Sequence, residues 1–305
     1  MLRLILMRLI QVPLVILAMS LLVFVFLNAS GDPVLLLLPF DASPEDVEEM
    51  RKALGLDKPL MVRYGIFLWD AIHGDFGVSL RSHQPALSIV LDALPATIEL
   101  ALAAMLVATV ISIPLGITAA VKRGGTIDMT ATVVSVLGQS MPVFWLGILL
   151  IMLFSVTLHW FPVSGRGGIS SLILPAVTLG WYMNALMTRM TRTAMLEVLS
   201  EPYIITARAK GLPERLVIMK HAFRNARVPI ITIWGLQAGT MLTGTVVTET
   251  VFSWPGIGLL AVQAVQARDY MVVQAVVVFI AGIFIIANLF VDILYAYLDP
   301  RIRYN

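Results

Sequence analysis

The chain has 305 residues, of which 59% are apolar and only 13% are charged, and its mean hydropathy is +0.90. A water-soluble domain usually carries about 25% charged residues, so this composition excludes an ordinary soluble protein and indicates a polytopic membrane protein. The net charge of +2 is too small for a protein that binds nucleic acid through a basic face. Because the sequence has no cysteine, disulfides, a thiol nucleophile and a cysteine-based metal site are excluded.

Six apolar stretches are long enough to cross a bilayer, which takes about 20 helical residues. They are predicted at residues 9–27, 97–121, 130–157, 172–188, 229–251 and 272–298. The first apolar run is longer than the core of a signal peptide, so residues 1–30 are predicted to hold an uncleaved span. With the N-terminus inside, the inner segments carry about twice as many Lys and Arg residues as the outer ones, which predicts that both termini are cytoplasmic.

The outer segment, residues 31–94, is too polar to span the membrane and is predicted to contain two helices. Ser43 and Asp46 form a capping box at the start of the first helix, and Gly55 suits its end. A second helix is predicted over residues 59–72, with an apolar face made of Leu60, Tyr64, Phe67 and Leu68. The segment is either a small cap packed on the ends of the spans or a docking surface for a soluble partner.

The longest inner loop, residues 189–228, has the pattern of two short amphipathic helices joined by a glycine. Ser200 is placed to cap a helix that begins at Glu201-Pro202 and ends at Gly211. A second helix is predicted from Pro213 onwards, with an apolar stripe formed by Leu212, Leu216, Met219 and Phe223. Such a hairpin either projects a compact knob into the cytoplasm or lies on lipid headgroups.

The fifth predicted span carries a narrow polar stripe at helical spacing, formed by Gln237, Thr240, Gly244 and Thr248. Small and hydroxyl residues either let membrane helices pack closely or line a translocation pathway. Weaker pathway candidates on the third and fourth spans are Gln139, Ser140 and Asn184. The carboxylate of Glu249 lies near the end of the fifth span, where it is either a functional ionisable group inside the membrane or exposed at the membrane interface. Because it is so close to the span end, we expect exposure.

Several blocks of sequence resemble, in order, the B-type permease subunit of dipeptide and oligopeptide ABC importers. The run Thr206-Ala207-Arg208-Ala209-Lys210-Gly211-Leu212, with His221-Ala222-Phe223-Arg224-Asn225-Ala226 after it, is similar to the EAA-type cytoplasmic coupling loop of that family. Leu94-Pro95-Ala96-Thr97 and Glu249-Thr250-Val251-Phe252-Ser253-Trp254 resemble further family blocks. At the Glu-Ala-Ala positions of the broad motif this chain has Ile205-Thr206-Ala207, so no role is carried over for the motif's glutamate.

The resemblance implies an all-α membrane protein with six transmembrane helices of the type I ABC importer permease kind, in a bacterial inner membrane. A helical extracytoplasmic segment would lie between helices 1 and 2, followed by a permease core over residues 95–298 and a cytoplasmic tail over residues 299–305. The coupling residues would be Tyr203, Thr206, Ala207, Arg208, Ala209, Lys210, Gly211 and Leu212. The small Ala207 and Gly211 would permit close approach of an ATPase.

The partners that the resemblance implies are a C-type permease, two ATPase subunits and an extracytoplasmic solute-binding protein. The sequence has no G-x-x-x-x-G-K-[ST] phosphate loop. We therefore expect ATP and Mg to bind in the ATPase subunits and no cofactor or metal to bind in this chain, which is not expected to be an enzyme.

Two alternatives stay open at this point. The same importer architecture serves glutathione, nickel or other metal chelates, opines and some oligosaccharides. A stand-alone secondary transporter is the other class, although inverted repeats and mid-span charges, which that class uses, are not visible in the sequence.

Overall fold

The computed structural model describes residues 2–29, 34, 43–53 and 55–298. The predicted tail, residues 299–305, lies outside the described residues, as do residue 30 of the predicted first span and residues 31–33 and 35–42 of the predicted outer segment. The described part consists of helices and turns, and its β-structure is limited to an isolated bridge between Val78 and Pro85. The expected all-α architecture is therefore confirmed for the described residues.

The helices in chain order are α1 (Leu2–Ala29), α2 (Pro44–Ala53), α3 (Leu60–Ile72), α4 (Ala86–Val121), α5 (Thr126–Ser140), α6 (Val143–Leu150), α7 (Ile169–Leu199), α8 (Pro202–Ala209), α9 (Glu214–Leu216), α10 (Phe223–Val251), α11 (Ile257–Gln266) and α12 (Tyr270–Leu298). Two of them continue directly into π-helical segments. These are Ile151–Thr157 after α6, and Val217–Ala222 between α9 and α10.

Among the residues that the structure describes, three helical segments are long and apolar enough to cross a membrane unbroken: α4, α7 and residues 270–287 of α12. The predicted third span is instead broken, because α5 and the α6 segment meet at 107°. Proline disfavours the helical conformation of the residue before it, and both Met141 and Pro142 are extended at this break. A second bend, of 54° between Glu214–Met241 and Thr245–Val251, lies within α10.

The fourth predicted span, residues 172–188, is longer in the structure because α7 runs to Leu199. Its extension contains Arg189 and Arg192, which were assigned to the inner loop. Arg192 forms a bidentate ion pair with Asp128 of α5, at 2.5 and 2.9 Å. The pair links the extension of α7 to α5.

The chain divides into two compact units. One contains residues 96–255 and the C-terminal part from residue 286. Its core is formed by α4, α7, α8, α10 and the π-helix Val217–Ala222, and it includes the fully buried Leu100, Met183, Met195, Ile204 and Val217. The other contains residues 2–95 and 256–285, with a core that includes Phe76, Val90, Ile257, Val273 and Val276.

Helices α4 and α7 approach each other closely at two glycines. A Cβ atom on Gly180 of α7 would lie 2.7 Å from the carbonyl oxygen of Ala104 in α4. A Cβ atom on Gly116 of α4 would lie 2.6 Å from the Cβ of Thr191 in α7. Small residues permit this close backbone packing between membrane helices, so the two glycines set the spacing of the pair.

The two helices predicted in the outer segment are present as α2 and α3. The capping box is confirmed, since the Asp46 amide donates to Ser43 Oγ at 3.2 Å and the Ser43 amide donates to Asp46 Oδ2 at 3.0 Å. Gly55 adopts a φ of 66°, as expected for a residue that follows a helix end. The apolar face of α3 packs through Phe67 and Tyr64 on Phe24 of α1.

Candidate functional site

The inner loop begins with a sharp connection between α7 and α8. Glu201, in extended conformation, precedes α8, and Pro202 occupies its first turn, where a missing N–H costs nothing. The predicted cap at Ser200 is wrong, because the Ser200 hydroxyl donates backwards to the carbonyl oxygen of Glu197 at 2.7 Å. At the other end, Gly211 follows α8 with a φ of 74°, a conformation that favours glycine.

One face of α8 is packed into the protein itself. Ile204 is fully buried and Ala207 is 7% exposed, and both belong to the core that contains Met195 of α7 and Ala222 of the π-helix. The close approach that the small side chain of Ala207 permits is therefore made within this chain. The opposite face is exposed and comprises Tyr203, Ile205, Thr206, Arg208, Ala209, Lys210 and Gly211, whereas Leu212 packs partly against the core.

The second predicted loop helix has a different register from the expected one. Residues 217–222 form a π-helix, whose hydrogen bonds join residues five apart, so Val217 and Ala222 face the same side and are both buried. Leu216 and Met219, which were predicted to be part of the apolar stripe, are exposed. The π-helix then continues into α10, which joins the loop directly to a predicted membrane span.

An ion pair closes the turn around Gly211. The Arg208 guanidinium donates to both carboxylate oxygens of Glu214, at 2.6 and 3.2 Å. This hydrogen bonding lowers the pKa of Glu214 below its usual value, so the carboxylate stays ionised at neutral pH. A second link joins the Asn225 side-chain amide to the Tyr203 hydroxyl at 2.7 Å. The first contact therefore connects α8 to α9, and the second connects α8 to the start of α10.

The polar stripe on α10 is divided between two environments. Thr248 is fully buried and Gln237 nearly so, and among the described residues neither Thr248 Oγ1 nor Gln237 Nε2 has a hydrogen-bond partner. Thr240 is exposed, and its hydroxyl donates to the carbonyl oxygen of Gln237 at 2.9 Å. The surroundings of Gly244 lie outside the described residues. The residues of the predicted stripe therefore do not all share one solvent-accessible surface, since Thr240 is exposed and Gln237 and Thr248 are buried.

The weaker pathway candidates are also separated by their surroundings. Asn184 is buried in α7, where its side-chain oxygen accepts a hydrogen bond from Thr188 at 3.3 Å. Ser140 is exposed at the end of α5 and donates to the carbonyl oxygen of Val136. Gln139 Oε1 accepts a 3.3 Å hydrogen bond from Arg189. The structure therefore does not place these three residues in a common hydrogen-bonded group.

A buried carboxylate is the feature that sequence reasoning missed. Glu249 is 0% exposed, which contradicts the expected exposure at the interface, and it accepts a hydrogen bond from Thr97 Oγ1 of α4 at 2.8 Å. Nearby in sequence, the fully buried Trp254 donates through its indole N–H to the carbonyl oxygen of Ala96 at 2.8 Å. These bonds join the end of α10 to α4. No spacing rule could reveal them, because each joins residues more than 150 positions apart.

Nearly the whole chain matches two models of one protein family. Residues 112–304 match the family described as "Binding-protein-dependent transport system inner membrane component", and residues 1–101 match the N-terminal model of the same transport systems. The chain belongs to this family. The chain is therefore an ABC permease, a multi-pass inner-membrane protein and a transporter component rather than an enzyme.

Two curated relatives are similar over most of their length. The "Dipeptide transport system permease protein DppB" of Escherichia coli (strain K12) is 43% identical over 319 aligned positions, which cover 94% of each chain. The "Di/tripeptide transport system permease protein DppB" of Pseudomonas aeruginosa (strain UCBPP-PA14) is 43% identical over 304 positions and 90% of each chain. These relatives confirm the resemblance that the sequence blocks indicated.

A solved structure supports the fold of the permease. It is a structure of the MetNI methionine ABC transporter in inward-facing conformations, with a TM-score of 0.61 at 17% identity, covering 70% of this chain and 97% of that chain. At this low identity the likeness shows the fold alone, which is that of a type I ABC importer permease. Within the described residues no group of three or more His, Asp or Glu side chains is placed to hold a metal ion.

Proposed function

We propose that this permease forms one half of the peptide pathway of an ATP-driven importer and couples closure of the ATPases to alternating access. The substrate class rests on the two relatives named for dipeptide and di/tripeptide transport. The observation that carries the coupling role is the inner loop. Its helix α8 has one face packed in the chain's own core and an opposite face that is exposed, including Ile205 at 62%.

The proposed topology has six spans with both termini in the cytoplasm. Residues 1–30 form the first span, residues 31–94 the extracytoplasmic segment, and residues 95–298 the core with its coupling loop at residues 189–228. Residues 299–305 form a cytoplasmic tail. The complete importer contains this chain, a C-type permease, two ATPase subunits that bind ATP and Mg, and an extracytoplasmic solute-binding protein.

Coupling would pass through the packed core rather than through a flexible loop. The exposed face of α8, with Tyr203 and Lys210, contacts the ATPase, and the buried face transmits its displacement. Ile204 and Ala207 share a core with Met195 of α7 and with the π-helix that leads into α10. Because protein interiors are close-packed and resist compression, moving α8 displaces α7 and α10 together.

A reconstitution experiment tests this function. We expect lipid vesicles that contain the permease, its C-type partner, both ATPases, the binding protein and internal ATP to accumulate a labelled dipeptide against a gradient. Vesicles with the permease alone are expected to show no accumulation, because this chain has no phosphate loop for ATP hydrolysis. Uphill uptake by the isolated chain would contradict the proposal.

Thr240 is proposed to line the pathway, whereas Gln237 and Thr248 hold α10 against its neighbours. The absence of natural cysteine makes this testable by single cysteine substitutions. In the complete importer, Thr240→Cys is expected to react with a water-soluble thiol reagent, at a rate that changes between nucleotide-free and ATP-bound states. Thr248→Cys, at a fully buried position of the same helix, is the control that should stay protected. Protection of Thr240→Cys in every nucleotide state would indicate helix packing instead.

A further inference from the structure

Helix α3 packs alongside α1 rather than beyond its end. The Tyr64 hydroxyl donates to the carbonyl oxygen of Leu17 at 3.0 Å and lies 3.0 Å from Ser20 Oγ. Leu17 is near the middle of the apolar stretch predicted to span the membrane. On the same part of α1, Leu14 and Leu22 are exposed, as expected of side chains that face lipid. The contact with Leu17 therefore places the start of α3 at a depth where α1 is inside the bilayer.

The other face of α3 is apolar and exposed. It comprises Met61, Val62, Ile66, Trp69 and Ile72, of which Trp69 is 68% and Ile72 79% exposed. Each Å² of such surface costs about 25 cal/mol in contact with water, so a contiguous face of this kind normally has an apolar neighbour. Because α3 lies beside a predicted membrane helix, we expect lipid acyl chains to contact its exposed apolar face.

A charged cavity lies beside the inner face of α3. Its volume is about 400 Å³, within the usual range for small-molecule sites. Apolar walls are provided by residues of α1 and α3, including Phe24 and Phe67. The polar lining carries three cationic side chains and two carboxylates, which are Lys52, Lys58, Arg63, Asp70 and Asp75. The Arg63 guanidinium also lies 5.8 Å from the centre of the Phe24 ring.

We propose that α3, although part of the proposed extracytoplasmic segment, dips into the outer half of the bilayer, and that this cavity binds the phosphoethanolamine headgroup of a phospholipid; the placement rests on the proposed topology. The lipid phosphate is complementary to Lys52 and Lys58, and the ammonium group is complementary to Asp70 and Asp75. The acyl chains then extend along the exposed apolar face of α3. A free phosphate would satisfy only the cations, and an anionic phosphatidylglycerol would leave both carboxylates without a cationic partner from the lipid.

Native mass spectrometry of the full-length permease tests the headgroup site. We expect phosphatidylethanolamine to bind more tightly than phosphatidylglycerol, and soluble glycerophosphoethanolamine to bind weakly because it lacks acyl chains. The double substitution Lys52→Ala/Lys58→Ala should weaken binding of phosphatidylethanolamine at least about tenfold, since charge-assisted hydrogen bonds to phosphate are lost. The matched control Lys122→Ala/Arg123→Ala removes two exposed cations elsewhere and should leave binding unchanged.

Three outcomes of that experiment would overturn the headgroup site: equal affinity for phosphatidylglycerol, equal affinity for the soluble headgroup, or unchanged binding in the Lys52/Lys58 variant.

Cysteine labelling in vesicles tests the position of α3 separately, and it does so with the permease alone, so that no partner protein can cover the helix. Met61→Cys and Trp69→Cys should resist a water-soluble reagent, whereas the exposed Arg81→Cys should react. Labelling of Met61→Cys and Trp69→Cys at the rate of Arg81→Cys would show that α3 lies in water.

Discussion

Gly211→Trp is expected to abolish ATP-driven uptake while the permease still inserts into the membrane. Apart from Gly211 and its two chain neighbours, no atom of the described residues lies within 4 Å of the position of a Cβ at Gly211, so the indole would project from the exposed face proposed to contact the ATPase. Disrupting that contact should weaken binding of the ATPase about tenfold or more, equivalent to ~1.4 kcal/mol. Co-purification of the ATPase and dipeptide uptake in vesicles measure the two effects.

The control for this substitution is Gly124→Trp. Gly124 has the same φ of 74° and also has no atom within 4 Å of the position of a Cβ, but it lies in the turn between α4 and α5. Both substitutions therefore impose the same backbone cost, about 1–2 kcal/mol for a side chain in the left-handed region. Wild-type uptake with Gly211→Trp, or an equal loss with Gly124→Trp, would remove the argument for docking at α8.

Gly180→Ala is expected to lower the free energy of unfolding by about 1–3 kcal/mol, the usual cost of overpacking a filled interior. The new methyl group would lie 2.7 Å from the carbonyl oxygen of Ala104, which is backbone and cannot rotate away. Helices α4 and α7 would have to separate, and α7 leads directly to the inner loop. Thermal unfolding of the purified permease in detergent measures the loss.

A matched helical glycine provides the comparison for Gly180. Gly282 of α12 has no neighbouring atom within 4 Å of the position of a Cβ, so Gly282→Ala should be neutral or should stabilise the protein by up to about 1 kcal/mol through helix propensity. Gly116→Ala, on the opposite side of the α4–α7 contact, should behave like Gly180→Ala. Equal melting temperatures for Gly180→Ala and Gly282→Ala would show that the close contact does not limit stability.

Local features of the fold could be predicted because their causes are local. The capping box of Ser43 and Asp46 needs only residues three apart, and the end of α8 needs only a glycine able to adopt a positive φ. Helical segments in the apolar stretches follow from composition. The family could be recognised because several blocks occur in the same order along the chain, so that resemblance did not depend on knowing any tertiary contact.

The broken third span and the register of the inner loop could not be predicted from the sequence. Pro142 could be read as a tolerated membrane proline, and only the packed structure shows that the chain bends by 107° there. Likewise, the periodicity of an α-helix predicts that Leu216 and Met219 face the protein core. The π-helix changes that period and buries Val217 and Ala222 instead.

The sequence by itself determined that the protein is helical, membrane-embedded and a relative of peptide importer permeases, because composition, periodicity and ordered motifs are properties of the chain alone. Only the tertiary structure decided which side of each helix is accessible. Ala207 faces the chain's own core, and Glu249 is buried against Thr97. The physical reason is that burial depends on which helix faces meet, and those faces belong to residues far apart in sequence.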